Sequence, residues 1–291
     1  MKPRYPIYIP SKSRADVCST AKFLQDDDVQ FHLVVEPQEY DQYASRFGAD
    51  RLLVLPDNDV GLMNARNWIK DHATAAGFER HWQLDDNIRR MRSWWRGRRL
   101  PCAAGVALSV VEDFADRYEN VAIAGPNYSF FARRGAYAPT MPFWLNAHVY
   151  SCTLFLNSLP YRWRAVYNDD TDMCLQVLAG GWCTILVNAV MADKLRTMTV
   201  KGGNTDALYQ GDGRLRMARS LERLWPGVVT TDRRWQRPQH VVKDSWRKFD
   251  TPLKLKPEFE GVQFDASKYT MQLVQKAPVK SERLRRMLAE Q

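Results

Sequence analysis

His81-Trp82-Gln83-Leu84-Asp85-Asp86-Asn87 is a short, largely apolar run that ends in acids. It reads as a strand, and a carboxylate cluster at the carboxyl end of a strand is where an α/β protein holds a metal and a phosphorylated ligand. Further along, Asp169-Asp170-Thr171-Asp172 opens a helix-like run that stops at Gly180-Gly181. A second acidic cluster points to a general base.

Outward from these clusters the first half of the chain alternates short apolar runs with amphipathic stretches, the pattern of strand and helix units wound into a mainly parallel sheet. Pro6 to Ile9, Phe31 to Val35, Leu52 to Leu55 and His81 to Leu84 read as strands. Between them Val17, Ala21 and Leu24 recur at helical spacing, and so do Leu62, Ala65, Ile69 and Ala73. Pro56-Asp57-Asn58-Asp59 offers caps for that second helix and Gly77 ends it. Val106, Val110 and Phe114 mark a helix, and Val121 to Ala124 a strand that Gly125-Pro126 breaks. From Asn127 to Asn146 there is no clear period, which suits a loop wall or short antiparallel strands. Tyr150 to Leu156 and Trp182 to Val190 are strand-like. A helix with Leu215, Ala218, Leu221 and Leu224 follows the polar Lys201-Gly202-Gly203-Asn204, and Lys280 to Gln291 looks like a terminal amphipathic helix. The boundary falls near residue 200, giving a catalytic domain over 1–200 and a helical or irregular extension over 201–291.

A chain of 291 residues with 45% hydrophobic and 12% aromatic content has enough apolar surface for a full core. No apolar run is long enough to span a membrane, and no signal-peptide region follows Met1-Lys2-Pro3-Arg4, so the expectation is a soluble cytoplasmic protein. Cys18, Cys102, Cys152, Cys174 and Cys183 include no C-x-x-C pair and read as reduced packing residues. The net charge of +9 is concentrated. Arg89, Arg90, Arg92, Arg96, Arg98 and Arg99 are interleaved with Trp94 and Trp95 in a presumptive loop, and guanidinium groups neutralise phosphates while indoles stack on exposed bases. A solvated basic loop with its tryptophans packed inward is the plainer alternative. Arg233-Arg234-Trp235-Gln236-Arg237-Pro238 repeats the chemistry more weakly.

Asp-Asp-Asn after a strand is also ordinary turn chemistry. As a site, Asp85 suits a ribose or sugar hydroxyl, while Asp86 and Asn87 both stand as contacts for Mg²⁺ or Mn²⁺, which prefer oxygen donors. Asp169 and Asp172 read best as helix-start residues that satisfy free amides and complement the dipole. Asp170 is the candidate base.

The succession Ile7-Tyr8-Ile9-Pro10-Ser11-Lys12-Ser13-Arg14, Gly61-Leu62-Met63-Asn64-Ala65-Arg66-Asn67, Leu84-Asp85-Asp86-Asn87-Ile88 and Asn168-Asp169-Asp170-Thr171-Asp172-Met173-Cys174-Leu175 resembles the glycosyltransferases of GT-A fold. Among these it resembles the TET-associated glycosyltransferases of bacteriophages, over residues 5 to 190. The resemblance implies a Rossmann-like, mainly parallel sheet flanked by helices, and an enzyme that transfers a sugar from a UDP-sugar to 5-hydroxymethylcytosine in DNA after a TET-type dioxygenase has acted. It places Pro10, Ser11 and Arg14 around the uridine, with Glu36 and Asp57 near the base. Arg66 falls at the donor diphosphate, and Asp85-Asp86-Asn87 at the family's Asp-x-Asp position, where Asn87 replaces the usual final Asp and bears on metal dependence. His240 is a candidate late metal ligand or acceptor contact, against a plain surface histidine; Asp193 and Lys194 are candidates for metal or phosphate contact.

The expected mechanism is one inverting displacement at the anomeric carbon. Asp170 takes the proton of the attacking hydroxymethyl group, and the metal, Arg66 and Lys201 stabilise the departing diphosphate. The alternatives are a sugar transferase acting on a saccharide or protein, and a basic DNA-binding module that has lost catalysis. A nucleotidyltransferase fits the acids alone, but the Arg66-Asn67 segment of the resemblance argues against it.

Overall fold

The computed structural model describes residues 1–95, 97–132, 141–195, 213–234, 237–263 and 265–269. Its centre is a ten-stranded sheet in the order β3-β2-β1-β4-β9-β7-β10-β5-β6, with β8 paired to β10. The strands are β1 (Ile7–Pro10), β2 (His32–Val35), β3 (Leu52–Val54), β4 (Arg80–Leu84), β5 (Ile88–Trp95), β6 (Arg98–Cys102), β7 (Val121–Tyr128), β8 (Phe143–Leu145), β9 (Cys152–Leu156) and β10 (Cys183–Lys194). The register pairs make β1, β2, β3, β4, β6, β7 and β10 run one way, and β5, β8 and β9 the other. The sheet is therefore mostly parallel and flanked by helices, compatible with a Rossmann-like fold.

Helices cover both faces, which explains why β1 and β4 are buried at every position and read as near-continuous runs. On one face α1 (Ser19–Asp26), α2 (Tyr40–Phe47) and α4 (Ala104–Ala115) close over Ile7, Ile9, Leu33, Trp82, Leu84 and Met91. On the other, α3 (Gly61–Ala75) sets Ala65, Ile69 and Ala73 against Tyr8, Val34 and Leu55. Beside it α5 (Asp169–Ala179) packs Met173, Cys174 and Val177 onto Ile123, Phe155 and Leu186. Gly181, at φ +81, ends α5 in a Schellman turn: Trp182 N–H donates to Val177 C=O and Gly181 N–H to Leu178 C=O.

Several expectations need correction. Gly125-Pro126 does not break β7, which continues to Tyr128. Strand β9 pairs only with Ile123 and Ala124, so Pro126 lies beyond that ladder. A Cβ at Gly125 would meet Cys152 O at 2.2 Å, so only glycine permits the close passage of the two chains. The proposed caps of α3 do not cap it: Asn58 accepts from Gln38 N–H and Asp59 pairs with Lys12. The arginine-rich stretch is not a loop but the β5–β6 hairpin at the sheet edge, with Trp94 opposite Arg99 and Trp95 opposite Arg98. Arg96 lies outside the described residues.

Beyond residue 212 the chain is neither purely helical nor irregular. Helix α6 (Gly213–Leu224) is followed by the antiparallel pair β11 (Val229–Arg234) and β12 (Arg237–Val242). Leu221, Val228 and Val229 pack on Leu175 of α5. The chain then returns along the opposite end of the sheet, where Asn120 Nδ2 donates to Pro252 O and Lys254 N–H to Asn120 Oδ1. Lys201 to Asn204, Trp235-Gln236 and Lys280 to Gln291 lie outside the described residues, as does 133–140 of the Asn127 to Asn146 wall. Among the described residues no helix is long and apolar enough to cross a membrane.

Candidate active site

Parallel strands converge their carboxyl ends on one edge of a sheet, and the chain turns there before each helix. At that edge Pro10 closes β1, Asp85 follows β4, Lys194 ends β10, and Ser151 precedes the reversed β9. The first turn of α5 brings Asp169 and Asp170, and α3 contributes Arg66.

Asp85 is the hub. Its Oδ1 accepts from Arg66 Nη2 at 2.9 Å, and its Oδ2 accepts from Ser151 Oγ and Lys194 Nζ, each at 2.7 Å. Lys194 also donates to Ser151 Oγ at 2.6 Å. The register of β10 shifts between Asp193 and Lys194, and the two successive side chains serve different clusters, Asp193 pairing with Arg92 and Lys194 with Asp85. Ser151 adopts φ +60, an uncommon conformation for a non-glycine residue, and receives the Asp85 N–H on its carbonyl at 2.7 Å. Burial works against ionisation of Asp85, but Lys194 and Arg66 hold its carboxyl well below the usual carboxylate range.

Asp86 turns the other way. It accepts from Ser11 Oγ at 2.9 Å and from Arg14 Nη1 at 2.7 Å, tying the end of β4 to the turn after β1. Burial raises its pKa despite Arg14. Arg66 is buried between the clusters. Its Nη1 donates to Gln83 Oε1 at 3.1 Å, and its Nε lies 2.7 Å from Asp169 Oδ2 as an ion pair without hydrogen-bond alignment.

The two acids that open α5 differ. Burial pushes the Asp169 carboxyl up to about 6, Arg66 opposing and Asp170 reinforcing the shift. Burial also acts against Asp170, yet His148, whose Nε2 lies 3.4 Å from Asp170 Oδ1, leaves it below its ordinary value. Thr171 N–H donates to the same oxygen at 2.8 Å. Asp170 is thus held as a carboxylate with an imidazole beside it. Asp172 is not a helix-start residue of the dipole kind. It is 1% exposed and accepts from Arg164, Gln176 and Trp225 Nε1.

Glu36 is buried, accepting from Val60 N–H at 3.2 Å and Gln38 Nε2 at 2.8 Å, with Lys12 Nζ at 2.7 Å. Pro10 and Ser11 are buried beside it, whereas Asp57 is exposed. His240, on β12, lies where His148 and Asp170 influence it. Burial lowers its pKa, and its Nδ1 is buried without a hydrogen-bond partner. Lys201 lies outside the described residues.

The arginines divide. Arg92 pairs with Asp193, which also accepts from Ser129 and lies 4.0 Å from Arg90, and Arg99 donates to Ala132 O. Arg89 and Arg98 are exposed, and Trp94 and Trp95 are half-buried. Arg92, Gly97, Arg98, Arg99, Ser129 and Asp193 line an open cleft of about 540 Å³. The start of the expected Asn127 to Asn146 wall is aromatic, and Tyr128 reaches Ser151 of the acid cluster while its neighbour Ser129 lines the cleft. Tyr128 and Tyr150 have ring centroids 4.3 Å apart, and Phe130 and Phe131, 56% and 57% exposed, are likewise 4.3 Å apart.

The run that the resemblance sets at the Asp-x-Asp position holds no carboxylate free of a cation. Asp85 and Asp86 are engaged by cations, and only the Asn87 Oδ1 of that run is buried without a partner. Among the described residues no group of three or more His, Cys, Asp or Glu side chains is placed to hold a metal.

A family model described as TET-associated glycosyltransferase matches residues 5–203. The chain belongs to this family. It is accordingly a glycosyltransferase, and the match spans every acid and cation of the sheet-edge cluster. No curated protein matches the chain.

Proposed function

We propose that this glycosyltransferase moves a sugar from a UDP-sugar to the hydroxymethyl group of 5-hydroxymethylcytosine in DNA, with inversion. The observation that carries the reading is the pairing of an ionised Asp170 beside His148 with the cations Arg66 and Lys194 gathered on Asp85. In this reading the acceptor oxygen forms its bond to the anomeric carbon while Asp170 takes its proton. The bond from that carbon to the diphosphate oxygen breaks, its electron pair stays on the diphosphate, and the neighbouring cations stabilise the charge. The uridine would lie along Pro10, Ser11, Arg14 and Glu36. Exposed aromatic rings next to an arginine-lined cleft support a nucleic-acid acceptor, because bases stack on rings while phosphates seek guanidinium groups. A base edge inside a duplex is read in the major groove or extruded, and Phe130 and Phe131 are suited to hold an extruded base. In this reading the hydroxymethyl group is supplied by prior oxidation of 5-methylcytosine, the reaction of a TET-type dioxygenase, as the family's name suggests.

The test is to incubate the protein with hydroxymethylated DNA and a panel of nucleotide sugars, digest the DNA and weigh the nucleosides. A hexose or N-acetylhexosamine increment on hydroxymethylcytosine is the expected result. Transfer to a saccharide or protein but not to DNA would assign a different acceptor.

A further inference from the structure

We propose that the Lys194 ammonium takes the place of a divalent cation in this site, binding the donor diphosphate and, with Arg66, carrying the charge that develops as it departs. The inference rests on the donor reading above and concerns how the enzyme meets the donor's charge.

Three observations carry it. First, the carboxylate at the start of the Asp-x-Asp position has both oxygens engaged by cations, Arg66 on one and Lys194 on the other. A dication on Asp85 would sit against two positive neighbours, and its like-charge repulsion would be weakly screened at this depth. Second, the adjacent carboxylate is directed away from that point to Arg14 and Ser11. Asn87 is left as a single neutral oxygen with no uncommitted carboxylate beside it in the run, where Mg²⁺ is held by one or two carboxylates together with substrate phosphates. Third, Lys194 is placed by built features. It closes β10 at a register shift in the pairing with β5, Ser151 accepts from it at 2.6 Å, and the Tyr128 ring lies 5.6 Å from its ammonium. Its side chain is 12% exposed, buried enough for its charge to act strongly and still open at the edge where the donor would lie.

The arrangement resolves a difficulty in the sequence. An amide at the last position of the acidic triplet weakens a metal site, and a lysine fixed on the first position supplies positive charge without one. Lys194 keeps its proton throughout. It donates hydrogen bonds to the diphosphate oxygens, while the only proton that moves is the one Asp170 takes from the acceptor.

The experiment is calorimetric titration with UDP in EDTA and in Mn²⁺, for wild type, Lys194→Met and Lys194→Arg. Wild type should bind UDP equally in both conditions, within about twofold, and Lys194→Arg should follow it. Lys194→Met should lose roughly tenfold or more in EDTA, as expected when one member of a buried charge pair is removed. It should recover part of the loss in Mn²⁺, because Asp85 is then uncovered. A wild-type affinity that falls tenfold in EDTA, or a Lys194→Met variant that binds as wild type does, overturns the proposal. Electron paramagnetic resonance of Mn²⁺ with the free protein gives a readout that needs no nucleotide. The spectrum of the hydrated ion should persist with wild type, and a bound signal that disappears in Asp85→Asn overturns the proposal. Failure to bind UDP under every condition refutes the donor reading instead, and the resonance result still decides the role of Lys194.

Discussion

Replacing Asp172 with asparagine should destabilise the protein by about 2–4 kcal/mol. The carboxylate is buried and its oxygens are shared out: Oδ1 accepts from Trp225 Nε1 at 2.7 Å and Arg164 Nη2 at 3.0 Å, while Oδ2 accepts from Arg164 Nε at 3.1 Å and Gln176 Nε2 at 2.8 Å. Asparagine has one acceptor oxygen, so one of these pairs of donors must face an amide that only donates. Bonds to a charged acceptor contribute about 1.5–3 kcal/mol each. The Arg164 side chain is 46% exposed and regains water, which removes most of its share and leaves the stated range. For a chain of this size that corresponds to a fall in Tm of roughly 5–12 °C. Urea unfolding followed by tryptophan fluorescence measures the cost, and a cycle with Trp225→Phe should return a coupling of about 1 kcal/mol or more. A cost below about 1 kcal/mol, the worth of a charge at a helix end alone, would refute the reasoning. It would mean that Asp172 does not anchor the later segment.

Asp170→Asn should lower turnover by about 10²–10⁴-fold with UDP affinity unchanged, as single-turnover kinetics and calorimetry would show; near-normal turnover rules out the base assignment. Burial raises the Asp169 carboxyl from 3.8 to about 6, so the folded chain holds a proton that the unfolded chain releases. That contribution is complete below the unfolded value and is lost as pH rises through 6. Wild type should therefore gain up to about 2 kcal/mol relative to Asp169→Asn between pH 7.5 and 4.5, and urea midpoints that move in parallel would contradict it. Replacing both Phe130 and Phe131 by alanine should leave UDP binding intact. It should weaken binding of hydroxymethylated DNA by at least tenfold, the value of about one stacked base, and unchanged fluorescence anisotropy titrations would remove the wall from the acceptor site.

The alternation of β1, α1, β2, β3, α3 and β4 was readable because β1, β2 and β4 are buried on both faces, β3 is a short apolar run at the sheet edge, and each helix shows one apolar stripe. The acids stood out as clusters at element ends, Asp85 where an apolar run stops and Asp170 where a helix-like run opens. What the sequence concealed was pairing. Asp86 and Asn87 read as metal contacts and Asp85 as a hydroxyl contact, and nothing local tells that the chain brings Arg14 to Asp86 and Lys194 to Asp85 from distant positions. Arg66 and Lys70 both interrupt the buried stripe of α3, and nothing local tells that Arg66 meets carboxylates while Lys70 donates to the carbonyl of Tyr161. His148 lies between the unperiodic stretch that ends at Asn146 and the strand-like run that starts at Tyr150, and nothing local tells that it meets Asp170. The β5–β6 hairpin was hidden because its arginines and tryptophans masked the alternation that a half-buried strand normally displays. Asp172 looked like its neighbours in sequence, and only Trp225, 53 positions on, makes it structural.

Asn168 opens α5 at φ +52, and its side-chain amide donates to Met217 O at 3.0 Å. Together with the Asp172–Trp225 bond, this fastens the turn that carries Asp169 and Asp170 to α6 and the strand pair after it. The family match stops at residue 203, before any of these partners. A shortened chain ending there would hold every acid of the site and still lose the braces that set their angle. An active fragment is therefore expected to extend at least through the β11–β12 pair, because the stretch after the family match braces the turn that carries Asp169 and Asp170.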